Sequence, residues 1–202
     1  MALSGPYTLD DLIAMTGART NSARKKLDWL ACAAASRARR NAPRATRLIG
    51  IDPGTRFVGW GVVDCDAHTR ALTLVECGCI SPGVTLPLKE RLRGIFEELE
   101  KILEQTRPHF AALEETFAGV NMKSAIAMGY GRGIALLSLA RANLEVLELS
   151  PRSIKQSVTG SGAATKSRVA SMVAAQLGLK KPPTPEDVTD ALAAAIALSQ
   201  RI

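Results

Sequence analysis

Short apolar runs alternate with longer amphipathic stretches from residue 48 onward. Leu48-Ile-Gly-Ile-Asp52 is an apolar run that ends in an acid and empties into Pro53-Gly54-Thr55, which reads as a strand followed by a tight turn. Phe57 to Val63 predicts a second strand, the polar stretch Asp64 to Arg70 a hairpin turn, and Ala71 to Cys79 a third strand. Residues 87 to 106 then repeat apolar positions at helical spacing (Leu88, Leu92, Ile95, Phe96, Leu99, Ile102, Leu103), with Glu and Lys between them and Pro108 as the stop. Phe110-Ala-Ala-Leu-Glu114 is a further strand ending in an acid. A helix from about Met122 to Asn143 and a strand from Glu145 to Leu149 follow it. Ser150-Pro-Arg opens a helix, Gly160-Ser-Gly162 makes a turn, and two more helices run from Thr165 to Leu177 and from about Glu186 to Ser199. The order βββαβαβααα predicts an α/β fold, a mixed five-stranded sheet with helices on both faces.

The preceding residues have a different character. Residues 1 to 47 hold nine Lys or Arg against three Asp, among them Arg24, Lys25, Lys26, Arg37, Arg39, Arg40, Arg44 and Arg47, while the rest of the chain is nearly balanced. A boundary near residue 47 separates a basic extension (1–47) from a folded domain (48–202). The extension is a partial helix around residues 21 to 36, an additional nucleic-acid contact, or a poorly ordered tail. At 202 residues the chain supports one sizeable core. No stretch reaches the length of a membrane span, and Asp10 and Asp11 stand where a secretory signal would be apolar, so a cytoplasmic protein without a membrane partner is expected. Cys32, Cys65, Cys77 and Cys79 lack zinc-ligand spacing and fit reduced, core-forming thiols. Neither His68 nor His109 is placed as a base or ligand, which leaves the chemistry to carboxylates.

Two of those carboxylates, Asp52 and Glu114, end apolar strands, where an unpaired acid is costly. Asp187 and Asp190 lie three apart on one helix face and repel each other unless a cation intervenes. Four acids from two strand ends and one helix face make an all-oxygen site for Mg²⁺ or Mn²⁺, with two ions able to act on a phosphodiester. Each acid also has an ordinary role open to it. Asp52 could cap the Pro53-Gly54 turn, Glu114 could pair with Arg132 or Lys123, and Asp187 could serve the helix dipole; Asp190, ahead of an otherwise apolar helix, is the hardest to place that way. Lys155, Lys166 and Arg168 flank the Gly-Ser-Gly turn as candidate phosphate ligands, with Lys166 favoured beside the reacting phosphate. Phe117, just beyond the Glu114 strand, could wedge against a base or fold back on the core.

Four blocks, Ile49-Gly-Ile-Asp52-Pro-Gly-Thr-Arg-Phe-Val-Gly-Trp-Gly, Leu113-Glu114-Glu-Thr-Phe117, Ser150 through Lys166, and Asp187-Val-Thr-Asp190-Ala-Leu-Ala, together resemble the bacterial RuvC Holliday junction resolvases, in the same order and across residues 48 to 202. The resemblance implies a ribonuclease H-like fold and a homodimer that nicks opposed strands of a four-way DNA junction, leaving 5′-phosphate and 3′-hydroxyl ends. It implies catalytic and metal-binding acids at Asp52, Glu114, Asp187 and Asp190, with two Mg²⁺ ions per site and Mn²⁺ as a substitute. Lys155 and Lys166 match the family's lysines and Phe117 its junction-inserting aromatic. The helix after Glu114 would form the dimer, and the partners would be the RuvA- and RuvB-like branch-migration complex. The chain departs from the family pattern in its basic extension and in Tyr130 and Gly131, where Gln or His and then Ala are common. Rival readings are another ribonuclease H-like nuclease, a sugar-kinase or actin-type phosphate binder, which would need two lobes, and a junction-binding protein with a dead site.

Overall fold

The computed structural model describes residues 45–115 and 122–202. Backbone contacts divide the chain into Met1–Pro43 and Arg44–Ile202, and the second unit is the one described here. Its strands are β1 (Ala45–Asp52), β2 (Val58–Asp66), β3 (Leu72–Ile80), β4 (Phe110–Glu114) and β5 (Glu145–Leu149). Its helices are α1 (Leu88–Thr106), α2 (Met122–Arg141), α3 (Pro151–Thr159), α4 (Lys166–Gln176) and α5 (Glu186–Ser199).

The sheet runs β3-β2-β1-β4-β5. β1, β2 and β3 pair antiparallel as a meander, while β4 and β5 join β1 in parallel through helical crossovers. Side chains alternate between the faces. Ile49, Ile51, Trp60, Val62 and Leu113 pack with Ile95, Leu99 and Leu103 of α1 and with Ala135 and Leu139 of α2. On the other face, Leu48, Val63, Ala112 and Leu149 pack with Ile154, Val169, Leu192 and Ile196 of α3, α4 and α5. The expected mixed sheet with helices on both faces is what forms.

β1 starts earlier than the sequence indicates, and its first turn of register changes the meaning of one residue. Arg47, read from the sequence as a tail cation, lies directly across from Asp64 in the ladder. Its guanidinium donates to both Asp64 carboxylate oxygens at 2.8 and 2.9 Å and to the Thr106 carbonyl at 2.9 Å. Next to it, His109 Nδ1 accepts the Arg47 N–H at 2.8 Å and the His109 N–H donates to the Arg47 carbonyl, so this histidine ties β1 to the start of β4.

α5 is hydrophobic almost all round and is buried along nearly its whole length. It approaches the sheet more closely than side chains permit. A Cβ on Gly50 would lie 2.0 Å from the Ala191 carbonyl, one on Gly61 2.4 Å from Leu192 Cδ2, and one on Gly59 1.9 Å from the Asp187 carbonyl. The register places Gly50 opposite Gly61 and Gly59 opposite Asp52, all on one face. A bare track on β1 and β2 therefore seats the backbone of α5, and the first turn of that helix is delivered to the end of β1.

Side-chain caps set the starts of α3 and α4. Ser150 accepts the Ser153 N–H, with Pro151 in the first turn of α3, and Thr165 accepts the Arg168 N–H at the start of α4. α1 ends with Arg107 in the left-handed region at φ 47°, ahead of Pro108. Among the described residues, no helix is long and apolar enough to cross a membrane. Cys65, Cys77 and Cys79 are free thiols; Cys32 lies outside the described residues.

Candidate active site

Asp52 and Glu114 occupy the last positions of β1 and β4, neighbouring parallel strands in which Ile51 pairs with Leu113. Because Leu113 faces α1 and α2, Glu114 faces the opposite side, which is also the side of Asp52. The two strand-end acids thus stand side by side under the first turn of α5, from which Asp187 and Asp190 descend.

The electrostatics record this convergence. Burial, and then the charges of Glu114, Asp190 and Asp187, push the Asp52 carboxyl from its ordinary value up to about 7, against the opposing pull of Lys166. Glu114 is raised by burial and by Asp190, and is pulled back by Lys166 and Lys155. Lys166, at the first position of α4, donates to Glu186 Oε2 at 3.0 Å and to Asp190 Oδ2 at 3.3 Å, and these acids hold its ammonium above the usual lysine range. All four sequence-selected acids and Lys166 are therefore in one cluster. Lys155 joins them, since a cavity of about 170 Å³ is lined by Glu114, Lys155, Lys166 and Asp190. Arg168, two residues along α4, is exposed and lines no part of that cavity. Phe117 lies outside the described residues.

The ordinary roles open to these acids from sequence fare differently. Arg132 does not neutralise the Glu114 carboxylate. It donates to the Glu114 carbonyl at 2.6 Å and forms its ion pair with Glu148, fastening the strand end while leaving the side chain to the site. Lys123's side chain is outside the described residues. Asp52's shift has burial and neighbouring charges as its causes, with no turn-capping hydrogen bond among them.

Several positioning residues carry no signal in the sequence. Arg91 of α1 donates from Nη1 to the Thr55 carbonyl at 3.1 Å and so holds the turn that follows Asp52. A Cβ on Gly131 of α2 would lie 2.4 Å from the Gly54 carbonyl. An alanine there would not fit this approach. Cys79 stands opposite Gly59 in the ladder, in the same cross-sheet row as Asp52. Burial and the Asp187 charge push its thiol pKa up, so it remains a protonated neighbour rather than a thiolate ligand. The spacing of Gly50, Gly59 and Gly61 is visible in the sequence, but their task depends on the strand register.

As placed, no three His, Cys, Asp or Glu side chains among the described residues meet at ligand distance around one point. The donor set nevertheless suits a hard divalent cation: it is all carboxylate and half-buried, and burial together with the mutual repulsion of the acids raises the Asp52 carboxyl to about 7. Entry of a cation would relieve that repulsion.

Comparison with known proteins agrees with this arrangement. A family model described as "Crossover junction endodeoxyribonuclease RuvC" matches residues 48–198. A relative of that name from Chloroflexus aggregans is 44% identical over 150 residues, spanning 74% of this chain and 90% of its own length. One from Roseiflexus is 43% identical over 152 residues, spanning 75% and 89%. Among solved structures, the T. thermophilus RuvC in complex with Holliday junction substrate superposes with a TM-score of 0.71 at 33% identity, over 75% of this chain and 92% of that one.

Proposed function

The chain belongs to the RuvC family of crossover junction endodeoxyribonucleases, and from that premise we propose that it resolves four-way (Holliday) DNA junctions as a divalent-metal-dependent nuclease. The observation that carries this reading is the convergence of Asp52, Glu114, Asp187 and Asp190 at one end of the sheet, with Asp52 raised to about 7 by burial and then by the charges of the other three. These four residues hold the metal, two Mg²⁺ ions or Mn²⁺ in their place. Bound there, the metal supplies Lewis acidity to the phosphodiester and stabilises charge on the attacking and leaving oxygens.

The chain's own residues do the rest. Asp52 gives up its proton as the site fills, because the cation replaces the charge that kept the carboxyl neutral. Lys166, already on Asp190, presents its ammonium to the non-bridging oxygens of the reacting phosphate and offsets the charge that develops there. Lys155, which lines the same cavity, holds the strand, and Arg168, outside it, adds a more distant phosphate contact. Arg132 and Arg91 fix the ends of β4 and β1 on which the acids ride.

Paired cuts need two sites. α2 exposes Ile126, Tyr130 and Leu137 at helical spacing, each about half accessible, and this stripe is the surface on which two copies pair. The product ends are 5′-phosphate and 3′-hydroxyl. The protein works in the cytoplasm beside a RuvA- and RuvB-like branch-migration complex.

The test is cleavage of a synthetic mobile four-way junction, beside linear duplex and an RNA/DNA hybrid, in Mg²⁺ and then in EDTA. Paired symmetric nicks confined to the junction and lost in EDTA are expected. Asp52→Asn and Asp190→Asn abolish cutting but keep junction binding, which rests on contacts spread along the DNA backbone. Preferential cutting of the hybrid or the linear duplex would overturn the junction reading.

A further inference from the structure

We propose that Arg152 is a further DNA-backbone contact, gripping a phosphate of the cut strand beyond the reacting one, and that the Gly160–Gly162 loop is its cradle; this deepens the junction-nuclease reading and rests on it. The cavity holding Glu114, Lys166 and Asp190 does not end at Lys155. It shares Pro151 and Lys155 with a second, open concavity of about 420 Å³, whose other walls are Arg152, Gly162 and Ala163. The acids line only the first part of this trough. The second part carries two cations and no carboxylate, so a polyanion leaving the acidic centre meets only positive charge on its way out.

Arg152 is exposed and belongs to none of the ion pairs among the described residues. Arg47 and Arg132, by contrast, are committed to carboxylates, and Arg201 to serine hydroxyls and a helix carbonyl. The Arg152 stem nevertheless lies close against the loop. A Cβ on Gly162 would lie 2.6 Å from Arg152 Cγ and 3.3 Å from its Nε, so the arm lies across a glycine that any side chain would push away.

The glycine is itself held. Gln156, the residue after Lys155, donates to the Gly160 carbonyl at 2.8 Å and accepts the Gly162 N–H at 3.0 Å. Thr159 Oγ1 accepts the Ser161 N–H at 3.2 Å and donates to the Lys155 carbonyl at 2.9 Å. The loop is thus latched to the helix that carries both cations. A guanidinium pre-set on such a support loses little rotamer freedom when it binds, and its planar fork matches two oxygens of a phosphate.

The test measures binding of wild type, Arg152→Gln, Arg152→Lys and Gly162→Ala to a fluorescent four-way junction across a salt series, with Ca²⁺ in place of Mg²⁺, together with single-turnover cleavage at saturating protein in Mg²⁺. Arg152→Gln should weaken binding roughly three- to tenfold and reduce the salt slope by about one, while cleavage at saturation is unchanged. Arg152→Lys should keep the slope and lose part of the affinity, since the charge remains without the fork. Gly162→Ala should weaken binding in the wild type but add nothing to Arg152→Gln.

Unchanged affinity and slope in Arg152→Gln, beside a wild type that binds and cuts, would overturn this inference alone. So would a loss confined to the cleavage rate, or a further loss from Gly162→Ala in the Arg152→Gln background. A slope that falls in Arg152→Gln on acidic polypeptide but not on DNA would reassign the residue to a protein partner. A wild type that neither binds nor cuts the junction would instead overturn the function on which the inference rests.

Discussion

Asp52→Asn should make the metal-free protein more stable, by an amount that grows as pH rises from about 4 to about 7 and then stays level. The Asp52 carboxyl moves from 3.8 to about 7 in the folded state, chiefly through burial and the charges of Glu114, Asp190 and Asp187. A folded-state pKa above the unfolded one means that the native protein binds the extra proton. Stability is therefore greatest below the unfolded pKa, falls as pH rises through the interval, and levels off above about 7. Roughly three pH units at 1.36 kcal/mol each give a penalty of about 4 kcal/mol at pH 8, and about 1 kcal/mol at pH 4.5. Asparagine keeps the shape and carries no charge, so it removes that penalty.

For a domain of this size, about 2–4 °C per kcal/mol predicts a Tm at pH 8 higher by roughly 8–15 °C for the variant in EDTA, with most of the gap gone at pH 4.5. A shallower slope persists in Asp52→Asn, because Glu114 is also raised by burial and Asp190. Added Mg²⁺ should lift wild type by about 2.7 kcal/mol at a hundred times its Kd and leave the variant behind. The assay is thermal unfolding by circular dichroism at fixed protein concentration, across pH, in EDTA and in Mg²⁺. Equal Tm values at pH 8 in EDTA, or a gap of the same size at both pH values, would refute the claim that the four acids strain one another.

Lys166→Met should change Tm by less than about 1 kcal/mol equivalent, since its pairs with Glu186 and Asp190 are largely exposed. Single-turnover cleavage should fall on the order of 100-fold, and the acidic limb of the pH–rate profile should move to higher pH because Lys166 holds down both Asp52 and Glu114. Gly59→Ala sets a Cβ 1.9 Å from the Asp187 carbonyl; urea unfolding should show a loss of about 1–3 kcal/mol, and cutting should fail as α5 is displaced. Tyr130→Glu or Leu137→Glu, on the exposed face of α2, should yield monomers by light scattering and replace paired nicks with single ones.

What the sequence discloses and what it withholds divide along the range of the interaction. Strand β4 has the bounds that its apolar run and terminal acid indicate, and Ser150-Pro151 and Thr165 start their helices as their local chemistry requires. The acids are legible for a similar reason, because a carboxylate closing an apolar strand conflicts with its immediate surroundings. Arg47 is misread from composition because its partners, Asp64 and Thr106, are brought to it only by the ladder and by α1. Arg91, Arg132 and Arg152 look alike in sequence, as cations within helical stretches. The first holds a turn carbonyl, the second a strand-end carbonyl, and the third lies over a glycine. No periodicity separates such fates, since each is decided by which backbone atom the packed helix brings within reach.

The contact between Gly131 and Gly54 makes α2 a lever. Tyr130 faces outward and its neighbour Gly131 faces inward against a carbonyl two residues from Asp52. A load on the outer face therefore reaches the turn beside Asp52 through two adjacent residues of α2 and one backbone contact. Linkage then runs both ways: whatever a second copy on α2 does to the cation affinity of Asp52, a cation at Asp52 does to the affinity of the two copies for each other. In the proposed dimer, assembly and cation loading would be one linked equilibrium rather than two separate ones.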